Sequence, residues 1–141
     1  AKLDDFNLLI SQTVYINPGG NDRPTPLSYI LSRKTNQKIF FNIWERGFLE
    51  KIFGLNKINT GIEEIDKNYS LKTNSKQLNK LIISDNKIRE SLTSPRIHFH
   101  IETQNRTVKI NLKRSGISES LEDFFTDIKL LNVIKDEIAS L

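Results

Sequence analysis

The sequence predicts an α+β fold: a mainly antiparallel sheet with short helices and a long C-terminal helix packed on one face. Residues 96–102 and 108–113 alternate apolar and polar side chains on either side of Gln104-Asn-Arg106, the pattern of a β-hairpin. Residues 118–140 repeat apolar side chains at three-and-four spacing, the pattern of a helix with one buried stripe. The length, 141 residues, suits one domain over 1–141 with a core that needs no covalent staple, and the chain has no cysteine.

The elements follow in order. Phe6 to Ile16 is apolar and β-branched towards its end and reads as a strand, with a helix through Leu3, Phe6 and Ile10 as the competing reading. Residues 17–26 hold three prolines and two glycines and form a loop. Leu27, Tyr29 and Leu31 alternate with Ser28 and Ser32 in a second strand. Lys34 to Gln37 is turn-like, and Ile39, Phe41 and Ile43 open a third strand that should pair with the second as a hairpin. Phe40 and Trp44 make the other face of that strand apolar too, which predicts a covering layer there or a partner-binding patch.

Phe48 to Phe53 is a short helical turn stopped by Gly54, and 55–66 is irregular around Thr60-Gly61. Tyr69 and Leu71 mark a further strand. Ser75 or Asn74 can cap a helix carrying Leu78, Leu81 and Ile82, and Asp85 can cap another from Ile88 to Leu92, stopped by Thr93-Ser-Pro95. In the hairpin that follows, Ile97, Phe99 and Ile101 face one side with Val108, Ile110 and Leu112. The last helix, about 118–140, is capped by Ser118 or Ser120, with Glu119, Glu122 and Asp123 at its positive end. Its stripe is Leu121, Phe124, Phe125, Ile128, Leu131, Ile134 and Ile138, and it should lie on the apolar face of the hairpin.

Charge is uneven. The formal net charge is +4. Arg96, Arg106, Lys109, Lys113 and Arg114 gather in 95–117 against Glu102, whereas 118–141 is acidic, so the two stretches should attract each other. No apolar run approaches the ~18 residues of a membrane span and no signal peptide is visible, so the chain as given reads as soluble. The lack of methionine fits a processed start or a segment of a longer protein.

Candidate chemistry is sparse. His98 and His100 share one strand face, as metal ligands could, but a tight-turn register sets Lys109 or Lys113 and Asn111 opposite them, and Glu102 alone is near as a third ligand. Glu63, Glu64 and Asp66 cluster at Thr60-Gly61, where turn and capping chemistry explains them as well as acid–base catalysis does. No nucleophile elbow or phosphate loop is present. Arg96, Arg106, Lys109, Lys113 and Arg114 are the candidates for polyanion binding. That face is expected to lack stacking aromatics, because Phe99 points inward.

The run Asn59-Thr-Gly-Ile-Glu-Glu-Ile-Asp-Lys-Asn-Tyr-Ser-Leu-Lys72 resembles a Thr-Gly-Asp-Pro-Glu-Phe-Asp-(basic)-x-Phe-x-Val segment of poorly characterised bacterial proteins, with Ile62, Glu63 and Ile65 as departures. Ile43-Trp-Glu-Arg-Gly47 is similar to their strand ending in Arg-x-Gly, and the likeness spans roughly residues 39–138. The resemblance implies this order of elements and a module of a membrane-associated protein. It implies no catalytic residue. The expected function is non-catalytic binding of a protein partner, with membrane contact only through segments outside this chain. The alternative is nucleic-acid or anionic-surface binding through 96–114, and the third reading is an unrecognised hydrolase or metal site. No cofactor is implied.

Overall fold

The computed structural model describes residues 1–12, 14–16, 18–20, 23, 24, 27–93, 97–114 and 121–141. It is an α+β fold. The described residues form nine strands: β1 (Lys2–Leu3), β2 (Phe6–Ser11), β3 (Val14–Tyr15), β4 (Arg23–Pro24), β5 (Ser28–Lys34), β6 (Phe40–Glu45), β7 (Tyr69–Thr73), β8 (Ile97–Gln104) and β9 (Thr107–Arg114). Five helices join them: α1 (Phe48–Ile52), α2 (Glu63–Asn68), α3 (Lys76–Ser84), α4 (Asn86–Leu92) and α5 (Leu121–Ala139). Seven strands make one antiparallel sheet in the order β1-β2-β5-β9-β8-β6-β7, and β3 and β4 pair separately. Part of the expected loop at 17–26 is thus the second strand of a small ribbon; Asn17, Asn21, Asp22, Thr25 and Pro26 lie outside the described residues.

The β8–β9 hairpin is the centre of the sheet. Its turn is two residues, Asn105 (φ 49°) and Arg106 (φ 58°), and two successive left-handed residues match the twist of the flanking strands. The expected hairpin of β5 with β6 does not form. β5 pairs with β9 and β6 with β8, so the late hairpin lies between them. Residues 35–39 instead run past its turn: the Thr35 amide donates to the Arg106 carbonyl at 2.9 Å, and the Thr103 amide to the Ile39 carbonyl at 3.0 Å. Alternation identifies a strand but not its neighbour, which long-range pairing decides.

One sheet face is buried. Phe6, Tyr29, Leu31, Phe41, Ile43, Phe99, Ile101, Val108, Ile110 and Leu112 stand on it, covered by Leu78 and Ile82 of α3, Ile88 and Leu92 of α4, and Leu130, Leu131, Ile134 and Ile138 of α5. Ser75 caps α3 by accepting from the Leu78 amide, and Asp85 caps α4 by accepting from the Lys87 and Ile88 amides, both as expected. Ser118, Glu119 and Ser120, and Ser94 and Pro95, lie outside the described residues. The stretch expected to be irregular up to residue 66 contains α2, whose first turn holds Glu63, Glu64 and Asp66 where the helix dipole favours them.

The C-terminal helix lies on the predicted face, with Leu131, Ile134 and Ile138 of the predicted stripe buried and Phe124 and Ile128 packed beside them, and the departure is confined to the stripe's start and edge. Leu121 (74% exposed) and Phe125 (58%) point outward, whereas Asp127 and Lys135 point in. Both charges are paired. Asp127 meets Arg114, and Lys135 meets Asp4 and, at 3.1 Å, Asp136. The attraction expected between the basic and acidic stretches is therefore made chiefly by Arg114, with Asp123 at 3.8 Å as a second partner.

Candidate functional site

The uncovered face of the sheet is built by register. Residues directly opposite each other on antiparallel strands share a face. In the hairpin His98 stands opposite Lys113, His100 opposite Asn111, and Glu102 opposite Lys109. β6 lies beside β8, which sets Asn42 next to His100 and Phe40 next to Glu102. β7 adds Lys72 opposite Asn42, and Ser70 opposite Trp44. β5 adds Ser28, Ile30 and Ser32. The expectation that this face lacks aromatics is corrected. Phe99 is indeed buried, yet strand order carries Phe40 and Trp44 onto the side of the histidines and lysines. Both side chains are intermediate in burial, so neither lies in the core as a full covering layer would place it. The Phe40 ring meets the His100 ring edge-on at 5.6 Å, and the Lys72 ammonium lies 6.0 Å from the Trp44 ring centre.

The polyanion candidates separate. Lys109 and Lys113 are exposed on this face and Arg106 is exposed in the turn. Arg96 lies outside the described residues. Arg114 belongs to the other face, in alternation with Val108, Ile110 and Leu112, and its guanidinium grips the Asp127 carboxylate in two bonds of 3.1 and 2.5 Å. That hydrogen bond raises the Arg114 pKa above its ordinary range. Beside the pair, the buried Tyr29 hydroxyl makes no hydrogen bond of ordinary geometry. Burial, then the Asp127 charge, push it up to about 12.

His100 and the acidic cluster have local partners. His100 Nε2 lies 3.4 Å from Glu102, which also accepts from Gln104 at 2.9 Å. Among the described residues no three His, Asp or Glu side chains converge as a metal site would require. Asp66 accepts from the Thr60 amide (2.7 Å), the Thr60 hydroxyl (2.6 Å) and the Gly61 amide (3.1 Å). Burial pushes its carboxyl up, but these hydrogen bonds outweigh it and leave the group below its ordinary value.

A second surface was not singled out by the sequence pattern. Phe48, Leu49, Ile52, Phe53 and Leu55 are each more than half exposed on and just after α1. The buried Arg46 side chain fastens this segment, donating to the carbonyls of Leu55 (3.0 Å), Glu50 (2.8 Å) and Lys67 (3.3 Å). Glu50 accepts from the Gly47 amide at 2.8 Å and the Asn56 amide at 2.6 Å, and the Gly47 bond foremost lowers its pKa. A groove of roughly 910 Å³ runs between α1 and α2, edged by Lys51, Lys57, Glu63 and Lys67. The available signal was five apolar residues in the eight from Phe48 to Leu55, more than a short turn can bury.

No helix among the described residues is long and apolar enough to cross a membrane. No family model matches the chain, and neither a curated protein nor a solved structure is significantly similar to it.

Proposed function

We propose that this chain is a non-catalytic binding module that docks a protein partner through the apolar segment from Phe48 to Leu55. The observation that carries the reading is the exposure of five large apolar side chains on one short segment whose backbone Arg46 holds in place. A pre-shaped apolar knob loses little conformational freedom on docking, and each side chain it buries contributes about 1.5–3 kcal/mol. A bacterial source and tethering to a membrane through segments outside this chain, implied by the resemblance at residues 59–72, belong to the same proposal.

Photocrosslinking in the cell tests it. A benzophenone side chain replacing Phe53 should give discrete protein adducts, and one replacing His98 on the sheet face should not. Absence of adducts at position 53, with adducts at 98, would overturn the reading. The nucleic-acid alternative is favoured by a separate observation, the joining of two aromatic rings to the basic face.

A further inference from the structure

We propose that the open face of the sheet binds single-stranded nucleic acid, with bases stacked on Phe40 and Trp44 and phosphates held by Lys72, Lys109 and Lys113. This is independent of the α1 surface and rests on the juxtaposition that strand order creates. Phe40 and Trp44 lie four residues apart on one face of β6, about 13 Å at ~3.3 Å per residue, so each can seat its own base. Both side chains are partly exposed and each ring is steadied by a neighbour, Phe40 by His100 and Trp44 by Lys72. A steadied ring on a sheet is a stacking platform that costs little to order.

The surroundings suit a nucleic acid better than an apolar peptide. Asn42 separates the rings, and His98, His100 and Asn111 face the same side, so amide and imidazole groups are available to base edges. The three lysines outnumber the two carboxylates beside the rings: Glu102, engaged by Gln104 and His100, and Glu50, engaged by Gly47, Asn56 and the Trp44 side chain. A duplex keeps its base faces stacked inside and can reach only the lysines, so the rings select for unpaired strands.

The full chain carries one tryptophan, and it is Trp44 on the platform. Titration with oligouridine at low salt should quench its emission, and the anisotropy of a labelled oligonucleotide should give the affinity. With three phosphates held, log affinity should fall with log salt at a slope of about −2, taking ~0.7 per phosphate on a single strand. Lys109→Gln with Lys113→Gln should flatten that slope by about 1.4 and leave the melting temperature unchanged, since both side chains are exposed. Phe40→Ala should weaken binding about fivefold or more. If that variant does not fold, the lysine pair and the Trp44 signal still decide. The proposal is overturned by no binding at low salt, by equal affinity for duplex with unchanged Trp44 emission, or by a lysine double variant that binds as the parent does.

Discussion

Replacing Asp127 by alanine should be among the most damaging changes available outside the apolar core. The carboxylate is 1% exposed, and the Arg114 side chain it grips is 12% exposed. Removing one partner of a buried ion pair costs about 3–5 kcal/mol, because the other charge is left without compensation. Asp123 lies 3.8 Å from Arg114 and can take up part of that charge, which places the expected loss near the lower end, about 3 kcal/mol. For 141 residues, at ~2.1 cal/mol/K per residue, that is a fall in melting temperature of roughly 10 °C. A double-mutant cycle with Arg114→Leu supplies the internal control. The double variant removes both charges and should be more stable than either single variant. The assay is thermal and urea unfolding followed by far-UV circular dichroism. A fall below about 2 °C for Asp127→Ala, or a double variant that loses the sum of the two singles, would refute the reasoning. The helix would then dock by the stripe through Leu121 and Phe125, with Asp127 on its flank.

Three further outcomes are expected. Phe125→Ala should change stability by no more than about 0.5 kcal/mol, whereas Ile134→Ala should cost about 2–5 kcal/mol; comparable losses in urea unfolding would contradict the outward placement of Phe125. Arg106→Gly should stabilise by about 1 kcal/mol, raising the melting temperature by roughly 3 °C, because glycine occupies the left-handed position without penalty. The Tyr29 hydroxyl has a folded pKa near 12 against 10.0 for the free side chain, so its contribution is intact below pH 10 and is lost as pH rises towards 12. That loss, about 3 kcal/mol at ~1.4 kcal/mol per unit, should be absent from Tyr29→Phe when the two unfolding curves are compared across this range.

What the sequence disclosed was what neighbouring residues decide. The β8–β9 register follows from alternation and a two-residue turn, and the caps at Ser75 and Asp85 act within three residues of themselves. Most of the buried stripe of α5 was legible too, but the burial of Asp127 and Lys135 was not, because their partners Arg114 and Asp4 lie 13 and 131 residues away. An apolar stripe identifies the apolar part of a helix's buried face but not the charges that join it when a distant partner meets them. The aromatic content of the candidate face was hidden for a related reason. Phe40 and Trp44 join the histidines only because β6 lies beside β8, and no local pattern specifies that neighbour. Arg114 is different: its alternation with Val108, Ile110 and Leu112 already assigns it to the covered face, and grouping it with Lys109 and Lys113 by proximity in the chain obscured this.

The placing of the last hairpin between β5 and β6 has a consequence for biosynthesis. A ribosome emits β5 and β6 long before β8 and β9, and each waits with one hydrogen-bonding edge open until residues 97–114 emerge. About 60 residues separate the end of β6 from the hairpin turn, which at ~5–20 residues per second leaves those edges exposed for roughly 3–12 s. During that interval the nascent chain holds strands whose final partners do not yet exist, a state open to pairing with other chains and to capture by chaperones. Nascent chains arrested before Ile97 should therefore remain protease-sensitive over β5 and β6, and release of a further twenty or so residues should protect both strands together.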